Sequence, residues 1–409
     1  MSEQTPKSII SELAAAAGLQ TLEKYAEVDN KKQRLFIGIP REIAFQENRV
    51  PLTPDSVETL VAQGHRIVIE SKAGDGARFS DKDYSEAGAQ IYYDRKQVFE
   101  ADIILKVTPP TEDEMTLFKH GQILISPLHL PTLKKEIIHE LSKKQVTALA
   151  FEYIKDESNT YAFVRCMSEI AGSSAILIAS ELLADAVHGR GYLLGGLSGI
   201  PPTQVLILGA GVVGEFATRA ALGLGATVKI YDNNVYKLSR LQNNIGERFY
   251  TSVINNRRLL NDIRTADVVV GAIHSENGRS PVIVTEAMVQ EMKAGSVIID
   301  VSIDQGGCIE TSEVTTHDQP TFIKHDVIHY CVPNIASRVP RTASYAISNI
   351  TASTLMQFNE YGGLENLIRI LPGVRHGVYI YKGHLTNQYL GQKMGLKFTD
   401  INLLITSSM

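Results

Sequence analysis

The chain has 409 residues, 44% of them hydrophobic, with a formal net charge of −5. That length exceeds what a single hydrophobic core organises, so two domains are expected, and the mildly acidic balance gives no electrostatic footing for nucleic acid or an anionic membrane. Three cysteines, Cys166, Cys308 and Cys331, lie far apart with no CxxC pair, which fits reduced thiols in a cytosolic protein better than disulfides or zinc. No apolar run is read as long enough to span a bilayer, no signal-peptide core opens the chain, and no metal-ligand spacing converges. A soluble, cytoplasmic protein acting on small molecules is expected.

Residues 1–34 form a preface in which Ile9, Ile10, Leu13, Ala17 and Leu22 recur near helical spacing. A docking amphipathic helix and a frayed arm both fit it. From Leu35 strands and helices alternate. LFIGIP (35–40) reads as a strand and Pro54 to Gln63 as a helix. HRIVIES (65–71), ADIILKV (101–107), GQILISPL (121–128) and KKQVTALAF (143–151) read as further strands. Such alternation predicts a parallel, doubly wound sheet. This first unit carries no glycine fingerprint, so it is the better candidate for the substrate side. Met167 to Val187 reads as a long apolar helix bridging two units.

The second unit opens on QVLILGAGVVGEFATRAALGLGATVKIYD (204–232): strand, glycine turn, helix, strand, acid. In its GxGxxG, Gly209 permits the tight turn, Gly211 lets backbone N–H groups approach a pyrophosphate, and Gly214 lets helix and strand pack closely. The pyrophosphate would sit at the helix N-terminus, where unpaired N–H groups and the helix dipole favour an anion. Asp232, at the tip of the second strand, suits ribose hydroxyls and repels a 2′-phosphate, so NAD is expected over NADP; the competing reading is a strand-end turn former. ADVVVGA (266–272) and SVIIDVSIDQGG (296–307) continue the unit, and YCVPNI (330–335) reads as its last strand. Ala343 to Tyr361 reads as a second long helix returning the chain to the first unit. The expected fold is α/β, with two doubly wound Rossmann-like domains joined by long helices. The substrate domain is expected at 35–165, completed by the C-terminal segment 341–409, and the NAD-binding domain at 166–340.

Ligands in such sheets bind beyond the carboxyl ends of the strands. Four polar residues stand there: Arg49 after the first strand, Lys106 ending ADIILKV, His129 in SPLHLP, and Asp304 ending VSID. They supply an anion clamp, a carbonyl-polarising cation, an acid/base titrating near neutrality and a carboxylate facing a nicotinamide. Oxidation of an amino or hydroxy acid needs those parts. Singly, Arg49 also reads as a surface charge, His129 as a satisfied core histidine and Asp304 as a turn cap. Lys106 in an apolar strand is harder to dismiss, because a buried ammonium requires partners. Cys308 and Cys331 read as buried apolar fillers.

IGIPREIAFQENRVPLTP, ILKVTPP, LHL, MSEIAG, GAGVVG with Asp232, IDVSIDQGGCIE and YCVPNIASRVPRTASYAISN, in that order and spacing, closely resemble the alanine dehydrogenase family. That family is related to the NAD-binding subunit of proton-translocating transhydrogenase, and the likeness covers the chain from about Leu35 onward. It implies NAD-dependent, reversible deamination of L-alanine to pyruvate and ammonium, typically by homohexamers. By position, Arg49 matches the arginine on the substrate carboxylate and Lys106 the lysine on the carboxylate or carbonyl oxygen. His129 matches the catalytic histidine and Asp304 the second catalytic residue. The implied cofactor contacts are Ser168, Gly209, Gly211, Val212, Val213, Gly214, Asp232, Lys237, Ala272, Ile273, Val301, Ile303, Asp304, Val332, Asn334 and Ile335, with Asn334 on the nicotinamide side. Pro127 replaces an aromatic that some members carry two residues before the histidine. HSENGRSP (274–281) diverges near the adenine ribose, and the region of Asn255 aligns poorly. A transhydrogenase-like hydride relay, a non-catalytic NADH sensor and a related amino-acid or opine dehydrogenase are the competing functions.

Overall fold

Short strands that are buried at every position, such as VIID and VVVG, need helices on both faces, and that need sets the architecture. The computed structural model describes residues 34–128, 133–275 and 278–407; the preface at 1–33 and the candidate histidine His129 lie outside them. The first sheet holds β1 (Phe36–Ile39), β2 (Arg66–Glu70), β3 (Gln90–Tyr92), β4 (Ile103–Leu105), β5 (Ile123–Ser126) and β6 (Thr147–Ala150). The second holds β7 (Gln204–Leu208), β8 (Thr227–Tyr231), β9 (Tyr250–Ser252), β10 (Val268–Gly271), β11 (Val297–Asp300), β12 (Thr321–Lys324) and β13 (Val327–Tyr330). The chain then returns to the first sheet with β14 (Val378–Tyr381) and β15 (His384–Leu385).

Strand order is β15-β14-β6-β5-β4-β1-β2-β3 in the first sheet and β12-β13-β11-β10-β7-β8-β9 in the second. Order reverses between β1 and β4 and again between β7 and β10, and a crevice opens at each reversal. Both sheets depart from pure parallel pairing at one edge, where β14 runs antiparallel to β6 and β15, and β12 antiparallel to β13. These strands, with β3 and β9, have no counterpart in the sequence reading; all are two to four residues long, and except for the buried VYIY of β14 they are only partly apolar. The expected strand at 330–335 is corrected: β13 ends at Tyr330, and the chain turns through Pro333 and Asn334, the latter in the left-handed region at φ 54°. A proline with no N–H to donate ends the ladder there.

Two long helices join the units, α1 (Ala162–Ala184) and, beyond the fingerprint helix α2 (Val212–Gly223), α3 (Pro340–Glu360). α1 overturns the expectation that no apolar run is long enough for a bilayer: it is 23 residues long and contains an 18-residue window of mean hydropathy 1.4. It is apolar on most sides because it packs against α2, α3, β11 and the turn after β13. Ala171, Ala175 and Ala179 are buried in the core of the second unit. α3 belongs with the first, where Ala352, Leu355 and Phe358 join Ile37, Ile39 and Leu52.

Gly172 sets the α1–α2 distance. A Cβ there would stand 2.3 Å from the Val213 carbonyl and 2.9 Å from the Ala217 nitrogen, both main-chain atoms that cannot swing aside. Gly172→Ala is expected to destabilise the protein by about 1–3 kcal/mol through overpacking, and to weaken NADH binding because the displaced helix carries the glycine turn. Denaturant unfolding and fluorescence titration measure the two effects.

Candidate active site

Lys106 stands one residue past β4, its N–H continuing the ladder to the Ile125 carbonyl at 3.0 Å. Its side chain is fully buried, with Nζ 2.7 Å from Glu42 Oε2 and 3.1 Å from Glu114 Oε1. Glu42 comes from the loop after β1 and also accepts the Val107 N–H at 2.6 Å. Glu114 comes from the first turn of helix Glu112–Leu117, where it forms a capping box with Thr111. Burial pulls the lysine pKa down, but the two carboxylates outweigh it and the net shift is upward. Lys106 is therefore a fixed cation near neutral pH, unsuited to act as an amine nucleophile. Two of its three donors are used among the described residues, which leaves one for a ligand.

Arg49 follows in the same loop as Glu42. Its Nε and Nη2 donate to Glu47 Oε1 and Oε2 at 2.8 and 2.6 Å, and its Nη1 lies 3.4 Å from the Met167 sulphur. Burial opposes the charge; Glu47, with Glu42 and Asp304, overcomes it and raises the pKa. The two units meet here, Asn334 Nδ2 of the second donating to Glu47 Oε2 of the first at 3.0 Å. Buried serines of α3 hold the loop from behind: Ser344 Oγ accepts the Val50 N–H at 3.0 Å and Ser348 Oγ the Thr53 N–H at 2.9 Å. The segment leading to His129 is anchored by the Leu128 N–H donating to Glu152 Oε1 at 2.6 Å.

Across the cleft, the glycine turn has the shape a pyrophosphate needs. Gly209 has φ 109°, and a Cβ on it would strike the Ala272 carbonyl at 2.3 Å; one on Gly214 would strike the Gly209 carbonyl at 1.9 Å. A Cβ on Gly211 would meet nothing within 4 Å, so the backbone there faces open space. Val212 and Val213 form the first turn of α2. Asp232 accepts the Ala210 N–H at 2.8 Å and the Asn234 N–H at 2.7 Å, so one carboxylate ties the tip of β8 to the turn. Lys237 lies exposed on the next helix, Val235–Ile245.

Ala272 and Ile273 follow β10, Val301 and Ile303 lie in the 3-10 turn Val301–Gln305 after β11, and Val332, Asn334 and Ile335 follow β13. Ser168 is half-buried on α1. Asp304 is exposed and its Oδ1 accepts the Asn334 N–H at 2.9 Å. Behind it, buried Asp300 accepts the Ser302 N–H at 3.0 Å, the Cys308 N–H at 3.1 Å and the Ser312 hydroxyl at 2.7 Å, and so shapes the 301–308 turn. Burial pushes the Asp300 pKa up against those hydrogen bonds. Cys308 and Cys331 are buried and free, as expected of fillers, although the Cys308 N–H serves Asp300. Glu42, Glu47, Glu114 and Asp300 escaped sequence reasoning. The available signal was charge inside or beside apolar runs, which is costly without partners.

Two Rossmann-type sheets whose loops meet through Glu47 and Asn334, with a glycine turn on one and a carboxylate-supported arginine and lysine on the other, define an NAD-dependent dehydrogenase. The description Alanine dehydrogenase/PNT, N-terminal domain matches residues 38–171, and Alanine dehydrogenase/PNT, C-terminal domain matches 175–388. The chain is 39% identical over 366 residues to alanine dehydrogenase 2 of Staphylococcus aureus strain Mu50, covering 89% of this chain and 98% of that protein. It is 38% identical, with the same coverage, to alanine dehydrogenase of Staphylococcus haemolyticus. A solved L-alanine dehydrogenase superposes with a TM-score of 0.82 at 36% identity, over 88% of this chain and 99% of that one. A transhydrogenase from Sinorhizobium meliloti shares the fold, with a TM-score of 0.72 at 23% identity over 86% and 99% of the two chains. The chain belongs to the alanine dehydrogenase/PNT family.

Two substitutions probe the two sides. Glu114→Gln keeps the capping geometry but takes one carboxylate from a buried ammonium, and should cost about 3–5 kcal/mol at neutral pH by denaturant unfolding. Because the folded Lys106 pKa is raised, its ionic stabilisation is complete below the ordinary lysine range and fades as pH climbs through the folded value. The gap between variant and wild type should therefore shrink only at strongly alkaline pH. Asp232→Ser should weaken NADH binding by roughly ten- to a hundredfold, the worth of about 1.5–3 kcal/mol for charge-assisted hydrogen bonds, while narrowing the preference over NADPH. Fluorescence titration with both nucleotides checks this.

Proposed function

We propose that the protein catalyses the NAD-dependent, reversible oxidative deamination of L-alanine to pyruvate and ammonium. The observation that carries this reading is the pair of carboxylate-supported cations, fully buried Lys106 and nearly buried Arg49, the latter joined through Glu47 to Asn334 of the second unit. A hydride relay between two nucleotides has no use for such a clamp. A small 2-oxo or amino acid does, because its carboxylate demands charge-assisted donors in a site shielded from water.

In this reading residues 35–165 and 341–409 form the substrate domain, and 166–340 would hold NAD, with Gly209, Gly211 and Gly214 receiving its pyrophosphate. Ser168, Val212, Val213, Asp232, Lys237, Ala272, Ile273, Val301, Ile303, Asp304, Val332, Asn334 and Ile335 line its path. Bound there, NAD would supply the acceptor for the hydride from the substrate Cα. Arg49 and Lys106 fix the carboxylate, which orients Cα and leaves the amino group toward the polar side of the cleft. The Lys106 ammonium stabilises negative charge developing on the substrate oxygen. His129 takes and returns protons as water adds to the iminium and the carbinolamine collapses, work that suits a side chain titrating near neutrality. Asp304, held through the Asn334 N–H, orients the nicotinamide ribose or that water.

The enzyme acts as a soluble, cytoplasmic homo-oligomer, a hexamer by family likeness. Val187, Leu193, Leu197 and Ile200 are exposed along one short stretch, where another copy would cover them. The test is NADH oxidation with ammonium and a panel of 2-oxo acids, with NADPH in parallel. Ammonium-dependent turnover with pyruvate and NADH is expected, and His129→Ala should lower it roughly a hundred- to ten-thousandfold with NADH affinity retained. Intact NADH binding without turnover of any acid would move the assignment to a hydride relay or sensor.

A further inference from the structure

Glu47 has no part in the chemistry above, yet its side chain is only 3% exposed and donors from both units converge on it. Oε1 accepts Arg49 N at 3.0 Å, Arg49 Nε at 2.8 Å and Ser337 Oγ at 3.4 Å. Oε2 accepts Arg49 Nη2 at 2.6 Å and Asn334 Nδ2 at 3.0 Å. The loop around it is sewn to the second unit by further bonds: Asn48 N to Ser337 Oγ at 3.3 Å, Ser337 Oγ to the Gln46 carbonyl at 3.0 Å, and His317 N to Gln46 Oε1 at 2.7 Å.

A guanidinium offers two edges able to grip a carboxylate through parallel N–H bonds, the Nε/Nη2 side and the Nη1/Nη2 end. Glu47 occupies the side. Among the described residues the end meets only the soft sulphur of Met167. We propose that Glu47 is a positioning residue, which clamps Arg49 by its side edge so that the end edge is presented to the substrate carboxylate. Through Asn334 it ties that presentation to the docked cofactor unit. The inference rests on the reading that Arg49 binds the substrate carboxylate. Without the clamp the long arginine side chain regains rotamer freedom that each binding event must then remove.

The test compares wild type, Glu47→Gln, Glu47→Asp, Arg49→Lys and the double variant Glu47→Gln/Arg49→Lys for pyruvate KM, kcat, NADH affinity and thermal midpoint. Glu47→Gln should raise the pyruvate KM roughly tenfold or more, with kcat within about threefold and NADH affinity within about twofold. Glu47→Asp, which keeps the charge but cannot reach both guanidinium nitrogens and Asn334, should fall between, and it decides the matter if the amide variant does not fold. In the Arg49→Lys background, which has no fork to orient, Glu47→Gln should add nothing to KM. A wild-type KM in the Glu47 variants, full additivity in the double variant, or a loss confined to kcat overturns the positioning role. An unchanged KM in Arg49→Lys alone overturns instead the assignment of Arg49 to the carboxylate.

Discussion

The Lys106 ammonium lies fully buried between Glu42 and Glu114, and much of the first unit follows from keeping it there. An isolated ion in that position would lose several kcal/mol of hydration. Two carboxylates reverse the balance, but only if the loop after β1 and the helix after β4 are brought to one point. β1 and β4 are the neighbours across which strand order reverses, so the same charge cluster closes the floor of the crevice that the topology opens. Arg49 repeats the arrangement with Glu47. Each cation reaches the cleft already ionised and oriented, with donor capacity left over.

The second unit is built differently. Its glycine turn offers main-chain N–H groups and open space above Gly211 rather than side-chain cations, and its other loops are shaped by carboxylates that accept backbone N–H groups, Asp232 at β8 and Asp300 at β11. The division suits the ligands of the proposed reaction. A pyrophosphate spreads its charge over many oxygens and is satisfied by a helix N-terminus, whereas a small carboxylate that must be held firmly enough to orient Cα calls for fixed cations. Asn334, in a left-handed conformation at the end of β13, is where the two designs touch, through Asp304 on its main chain and Glu47 on its side chain.

Most of this fold could be read from the chain because parallel strands covered on both faces are continuous apolar runs, and because GAGVVG with a strand on each side and Asp232 at the far tip admits few other structures. Arg49, Lys106 and Asp304 stand out in the sequence as polar residues in the segments that follow strands. The structure puts Lys106 one residue past β4, Asp304 in the turn after β11 and Arg49 in the long loop after β1; their roles are those proposed above. The carboxylate partners do not stand out, since nothing local pairs Glu114 with a lysine eight residues away or Glu47 with an asparagine 287 residues on. The margin strands β3, β9, β12 and β15 were missed because short strands at a sheet edge need no apolar run, and β14 because its four-residue VYIY is too short to stand out. Pro333 ended a strand that the apolar pattern of YCVPNI extended too far. The length of α1 was visible, but whether so apolar a helix belongs in a bilayer or a core depends on the helices that cover it, and Gly172 records that contact only once α2 is in place.

The most direct measurement is a crystal structure of the protein with NADH and oxamate, a non-reacting isostere of pyruvate. The expected result places the oxamate carboxylate on the Nη1/Nη2 end of Arg49 and on Lys106 Nζ, with its carbonyl carbon facing the nicotinamide. Oxamate bound away from both cations, or a nicotinamide directed out of the cleft between the two sheets, would contradict the assignment.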